Sequence, residues 1–588
     1  MPNEPRRTTT PCRRDVPRCI LLLPHPLRDM VKLARLASFC LTAALPAAAG
    51  AQVIRGTVTS AVAAGRVAGA VVLLQDSSLT TYARALTSDS GTFTIGVGAP
   101  GRFHLKVMRI GFRPTESQTF ALTRDTTVHL ELTDIPVVLP RVTTRDRNDC
   151  RLHPNSSESA ALTFALWDEA RTALLATAIT LEQHDYRFAK LQHLRVYDMK
   201  ERALRDIALR EIETRGTAPW TSLPAEQLRE KGYATEDDSG MTFFAPDINV
   251  LLSPYFTEAH CFRLTRADAP PSWPGAIGLD FESAGRPPHV EIRGTLWLDT
   301  TSMELRSLEF TFVNLPISAP DTLLGGRIDF TRLATGGWII PSWSIRMPTP
   351  YRPRGRFGAR TVASRGRWRL TADLVRVAGG ELRAVRRGDG ADSVLWKRPT
   401  GRVLARAVTR TDSGLVAAPG VMVRLSGSPY VGYSSIDGSV RFDGLLPGAY
   451  LFEATTPLHD LIEATGERTL VSVRADTVVE ARVTLQPLAD AAAAVCADTR
   501  PGRDESVLAG HVTLGANDSP MPKVRVTLEW PGGDAEAESR NDGYYRVCGV
   551  PRGKLILVRA SAESYMVTET LTLEKNEVVR KLDLKLQP

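Results

Sequence analysis

Histidine and cysteine are scarce in this chain, and neither is spaced for metal chemistry. None of the ten histidines has a glutamate three positions on, so the H-x-x-E ligation of a zinc peptidase is missing. His184, His193, His260 and His289 fall in the middle of the chain without mutual spacing and read as single polar strand residues. Gly96-Val97-Gly98-Ala99-Pro100-Gly101 satisfies G-x-G-x-x-G, but Phe103-x-Leu105-x-Val107 then alternates as a strand, where a dinucleotide site needs a helix. Asp437-Gly438 and Asp542-Gly543 lack the D-x-D-x-D-G ladder of a calcium loop and read as strand turns. No G-x-S-x-G elbow or phosphate loop occurs. Past the first 51 residues, no apolar run reaches the roughly 18 residues of a membrane helix. No catalytic, metal-binding or cofactor-binding residue is therefore assigned, and the chain reads as a non-enzyme.

Charge is less one-sided than its formal +8 suggests. Residues before Gln52 carry eight Lys/Arg and three Asp/Glu, so +5 resides there and +3 in the remainder. That balance does not call for a nucleic-acid partner. The same segment resembles a secretory signal: Met30-Val31-Lys32 with Arg35, an apolar run from Leu36 to Ala49, and small residues Ala49-Gly50-Ala51 before Gln52. Residues 1–51 are expected to be a leader, with translation starting at Met30. Phe39 before Cys40 is too bulky for a lipidation site.

Export would leave Cys150, Cys261, Cys496 and Cys548, an even number that reads as two disulfides of three possible pairings. Cys150–Cys261 and Cys496–Cys548 are favoured because each stays within or beside one predicted domain. Loop entropy gives each about 3–5 kcal/mol.

What the chain does have is one pattern three times, aligned without a gap. Gly91-Thr92-Phe93-Thr94-Ile95, Gly438-Ser439-Val440-Arg441-Phe442 and Gly543-Tyr544-Tyr545-Arg546-Val547 each run into a Pro/Gly turn and a strand opening at Phe103, Tyr450 or Leu555. Period-2 alternation with turns about every ten residues is the mark of a β-sandwich. The predicted sandwiches span 52–137, 398–488 and 505–588, and Ala-rich 489–504 reads as a linker. Strand parity turns Tyr545 and Val547 inward and Cys548 outward, so a bond to Cys496 would pin the linker on the outer face.

The pattern G-x-V, P-x-V-x-V-x-L and D-G-x-[FY]-x-[FV]-x-x-[LV]-P-x-G-x-[YL] resembles the carboxypeptidase regulatory-like domain, a transthyretin- or prealbumin-like Greek-key sandwich. The resemblance implies a module without catalytic residues, found on exported bacterial proteins and before TonB-dependent receptors. Its kinship with starch-binding folds implies carbohydrate binding as an alternative role.

Residues 150–397 differ. Phe164, Trp167, Leu174, Leu175 and Ala178 make an apolar stripe at helical spacing over about 159–181, with Ser156 and Ser157 placed to cap it. Alternating strands follow, at Thr295 to Asp299, Leu308-x-Phe310-x-Phe312, Ile328-x-Phe330 and Trp338 to Met347. One long helix with a curved antiparallel sheet is an α+β domain, so the whole chain is mainly β. Gly294-Thr295-Leu296-Trp297-Leu298-Asp299 with Leu305 and Leu308 resembles the strand pair of LolA/LppX-like half-barrels. That resemblance implies a concave face able to take an acyl chain or a peptide.

Two surfaces are candidates for ligand. Arg352, Arg354 and Arg356, with Arg360, Arg365, Arg367, Arg369 and Trp368, form an unusual basic run that could meet anionic sugars or lipid headgroups, or be a solvated hairpin. Trp530, Tyr544 and Tyr565 could stack on sugar, or pack at strand ends. The expected protein is a periplasmic, outer-membrane-associated or secreted scaffold, adhesin or ligand holder. Its partner would be an envelope glycan, a lipid or an outer-membrane protein. Alternatives are a carbohydrate-binding accessory protein, a lipid or lipoprotein carrier, or a relative of TonB-dependent receptor N-terminal regions; Leu139-Pro140-Arg141-Val142-Thr143-Thr144 resembles the link to a plug, though no plug follows.

Overall fold

The computed structural model describes residues 52–134, 158–350 and 370–587, less short stretches at 63–64, 184–185, 199–202, 217, 238–239, 266, 286, 316, 319–323, 389–392, 500–501, 503 and 516–517. The leader, Cys150, the cap residues Ser156 and Ser157, the 139–144 segment and the arginine run of 352–369 all lie outside the described residues. The fold is mainly β, and among the described residues no helix is long and apolar enough to cross a membrane.

The repeated pattern gives one topology three times. Gln52–Ser60 pairs antiparallel with Thr92–Val97 and parallel with Thr126–Leu132. Gly401–Thr411 does the same with Ser439–Leu445 and Val478–Leu485. Glu505–Leu514 repeats it with Tyr544–Pro551 and the closing strands Val579–Lys581 and Leu584–Leu586. Facing each trio is a second sheet centred on Val71–Asp76, Met422–Leu425 or Arg525–Trp530.

Each turn glycine acts alike. Gly91, Gly438 and Gly543 have φ of +71°, +80° and +80°, the left-handed region that a β-carbon disfavours. Their carbonyls accept from Val58, Ala407 and Val512 amides at 2.8 Å in every copy.

A feature not visible as a motif accompanies them. Four residues before each glycine stands a buried hydroxyl: Thr87, Ser434 or Ser539. It accepts from the amide of Ala70, Val421 or Val524 (2.8–2.9 Å) and donates to the carbonyl of Val67, Ala418 or Met521 (2.6 Å). Both backbone groups are thereby satisfied where no strand can reach them.

The middle of the chain builds one antiparallel sheet around a helix, Glu158–Glu182. Its strand order is Leu204–Arg215, Tyr186–Asp198, Leu370–Arg387, Trp338–Pro350, Gly325–Arg332, Leu305–Val313, Glu291–Asp299, Ala276–Ser283, His260–Leu264. The inner face carries Phe281, Leu296, Phe310, Phe312, Ile328 and Trp343, which form one core with Trp167, Leu174 and Ala178 of the helix. Residues 172–180 of the helix are all buried, more than a single apolar stripe requires. The reason is the first sandwich, whose Val71, Leu73, Met108 and Ile110 join the same core. Thr172, Thr177 and Thr180 tolerate this by donating to carbonyls four residues back at 2.8 Å.

The Ala-rich stretch is no extended linker. Leu488–Val495 is a helix, and Ala491, Ala492 and Cys496 pack with Ile462 against Val507, Ala509, Tyr544 and Val579 of the third sandwich. Alanine favours helix at no side-chain entropy cost, and small side chains let the helix sit close to the sheet.

Candidate functional site

The structure places the expected aromatic surface differently from the sequence reading. Tyr544 does project from the outer face of its strand, yet it is only 4% exposed. The Ala-rich helix and Ile462 cover it, and the Arg540 guanidinium lies 4.9 Å from its ring centroid. Trp530 and Tyr565 are half-buried against the third sandwich's own core, so the three aromatics form no shared platform. Cys496 and Cys548 are joined in a disulfide, with Cα atoms 6.0 Å apart, on the same covered face. Cys261 is also disulfide-bonded.

The concave face of the central sheet is largely filled by the long helix. What remains open there is a pocket of about 360 Å³ where Trp220 and Trp343 face each other, ring centroids 6.2 Å apart, beside Leu194 and Ile345. His260 sits deep in the aromatic core, its Nδ1 2.9 Å from the Phe256 carbonyl, and burial pushes it down to about 4. Among the described residues no group of three or more His, Cys, Asp or Glu side chains is placed to hold a metal ion.

A larger cavity, about 610 Å³, opens on the opposite face of the same strands. Sequence reasoning missed it because its walls come from four strands, of which Tyr186–Asp198 lies far in the chain from Gly325–Arg332, Trp338–Pro350 and Leu370–Arg387. Register aligns them in rows. Arg327, Ser344, Gly379 and His193 make one row, and Asp329, Ser342 and Glu381 flank it on one side. Arg346, Val377 and Arg195 flank it on the other, followed by Val375 and Tyr197.

One local signal was available: Gly379-Gly380 in mid-strand, where glycine is otherwise costly. A β-carbon on Gly379 would lie 2.8 Å from His193 Nε2, and one on Gly380 2.3 Å from Trp343 Cζ2. The pair thus admits a histidine on one face and an indole on the other.

Electrostatics divide the cavity. Arg327 is fully engaged, with Asp329 at 2.8 Å, Glu309 at 2.9 Å and Ser272 at 3.0 Å. Asp198 meets Arg205 at 3.3 Å and Glu381 meets Arg398 at 3.7 Å. By contrast, the buried Nε atoms of Arg195 and Arg346 have no hydrogen-bond partner among the described residues. Burial, with Arg195 beside it, holds His193 down to about 3, so the ring is neutral at ordinary pH. Burial also raises Glu381 against the opposing pull of Arg398 and Arg195.

Comparison with known families adds one firm point. Residues 53–133 match the carboxypeptidase regulatory-like domain. The match is the first sandwich, less than a sixth of the chain. No curated protein matches the sequence. Among solved structures, the TIE protein of Bacillus anthracis is 10% identical, covering 68% of this chain and 83% of its own, at a TM-score of 0.14. A streptococcal ancillary pilin is 14% identical, covering 38% and 82%, at 0.15. The shaft pilin SpaA of Lactobacillus rhamnosus GG is 10% identical, covering 32% and 98%, at 0.13. Superpositions this poor carry no weight for role.

Proposed function

We propose that this chain is an exported, non-enzymatic binding protein of the bacterial cell envelope. In this reading all three sandwiches are regulatory-like modules that brace a central sheet, and the outward cavity of that sheet holds a ligand. The shared topology and the thrice-repeated hydroxyl bridge support extending the family match at 53–133 to 398–488 and 505–588. Two disulfide-bonded positions, Cys261 and the Cys496–Cys548 pair, support an oxidising compartment.

The single observation that carries the reading is the 610 Å³ cavity whose wall holds the buried Nε atoms of Arg195 and Arg346 without a hydrogen-bond partner among the described residues. Pockets of this size with a few convergent polar groups are the usual places for small ligands. A second reading, an apolar-ligand carrier, is favoured only by the smaller pocket between Trp220 and Trp343.

A thermal-shift screen of small sugars, sugar acids, organic anions and short fatty acids tests both. At least one class should raise the melting temperature, and Ser344→Tyr, which fills the outward cavity over Gly379, should abolish the shift. A shift that survives Ser344→Tyr and disappears in Trp220→Ala would move the site to the concave pocket. Turnover of a screened compound would overturn the non-enzyme reading.

A further inference from the structure

Resting on the cavity being a binding site, we infer that its ligand is a small organic anion, a carboxylate, phosphate or sulfate group on a ring or short chain with an apolar face. Arg346 and Arg195 stand on the strands either side of Val377 and face the same way. Two inter-strand spacings separate them, roughly 10 Å between Cα atoms. Both line the cavity, and Arg195 Nη2 reaches to 3.1 Å from where a β-carbon on Gly448 would stand.

The carboxylates that act on them, Glu309 on Arg346 and Glu381 on Arg195, do so without a hydrogen bond and are shared with Arg327 and Arg398. Asp329 is held by Arg327, Asp198 by Arg205 and Glu381 by Arg398. Burial lowers the pKa of Arg346, with Glu309 opposing the shift and Arg327 adding to it. An incoming oxyanion would supply counter-charge, and the planar guanidinium fork matches carboxylate or phosphate geometry. A neutral ligand would add no counter-charge to the partial compensation from Glu309 and Glu381.

The floor argues against a bare inorganic ion. Val375, Val377 and Tyr197 line it beside the two cations, and a lone ion would leave that apolar surface wet. His193, neutral there, offers ring nitrogens without a partner of their own among the described residues. They can donate to or accept from a hydroxyl on the ligand body.

Isothermal titration calorimetry on the whole chain tests this with four probes: phenyl phosphate, phenylacetate, the neutral 2-phenylethanol and inorganic phosphate. At least one aromatic anion should bind about tenfold or more tightly than both 2-phenylethanol and inorganic phosphate, and its affinity should fall with added salt. Whichever aromatic anion binds better identifies the preferred group. Arg195→Gln and Arg346→Gln should each weaken binding about tenfold or more, and Arg346→Lys, which keeps the charge, should weaken it less. Arg525→Gln, at an exposed position of the third sandwich, should leave it unchanged. Equal binding of 2-phenylethanol, abolished by Ser344→Tyr, would overturn the anion and leave the cavity as a site. Equal binding of inorganic phosphate would overturn the organic body. Absence of binding by all four probes would overturn the inference, and if the thermal-shift screen also finds nothing, the site falls with it.

Discussion

The Leu209 amide donates to the Gly427 carbonyl at 2.6 Å, bonding the edge strand of the central sheet to the second sandwich. Leu191, Ile207 and Leu209 of that sheet belong to the same hydrophobic core as Val423, Leu425 and Tyr450 of the sandwich. Arg383 strengthens the seam, donating to the Tyr430 hydroxyl at 3.3 Å and to the Gly444 carbonyl. The sandwich is therefore packed as part of the sheet's support.

Gly427 is needed twice over. Its φ is +69°, and a β-carbon there would lie 1.7 Å from the Ile207 carbonyl oxygen. Gly427→Ala should cost about 2 kcal/mol, combining left-handed strain with the weakened interface hydrogen bond. Gly420→Ala is the control, with φ of +68° and nothing within 4 Å of the added carbon; it should cost only about 1 kcal/mol. Denaturant melts and hydrogen exchange at the Leu209 amide would read the difference. Equal costs at the two positions would show that the close approach contributes nothing.

The hydroxyl bridges give a series across the three modules. Thr87→Val, Ser434→Ala and Ser539→Ala each leave a buried amide and carbonyl without that partner, at about 1–3 kcal/mol apiece. Ser561→Ala, exposed on the third sandwich, should stay within about 0.5 kcal/mol. Chemical denaturation of each variant measures this. If the three bridge variants melted like the parent, the hydroxyls would have no structural role.

Acidity should act where the first sandwich meets the long helix. Glu169 on the helix lies 3.3 and 3.4 Å from the Gly111 amide, with Arg109 nearby. Burial raises its carboxyl to about 7 despite the lowering contributions of Gly111 and Arg109. The folded value lies above the ordinary 4.5, so the folded state holds this proton more tightly. Its contribution is full below about 4.5 and is lost as pH rises through about 7. Glu169→Gln should thus gain melting temperature relative to the parent at pH 8, with the gain shrinking towards pH 4. A difference independent of pH would show that the carboxyl does not titrate in this range.

Much of the fold was legible because its signals are local. The helix expected over 159–181 is Glu158–Glu182. The closing strand expected at Val128 to Leu132 lies within Thr126–Leu132. Parity also put Cys548 on the face opposite Tyr545 and Val547, where it packs in a separate apolar cluster. It failed on exposure, because what covers that face is a helix from another part of the chain. The Ala-rich stretch read as a linker for the same reason: its apolar contacts are all tertiary. The cavity left only the Gly379-Gly380 trace, since neither arginine belongs to a motif.

By itself the sequence determined where strands alternate, where glycine must turn the backbone, and that one strand-and-turn pattern occurs three times. Those are constraints on single residues and their near neighbours, set by sterics and by the two-residue pleat. Tertiary structure alone decided that Tyr186–Asp198 pairs with Leu370–Arg387, and so that Arg195 and Arg346 share a wall. Sheet order is fixed by which distant edges find each other's hydrogen bonds and bury the most apolar surface, a choice no local pattern records.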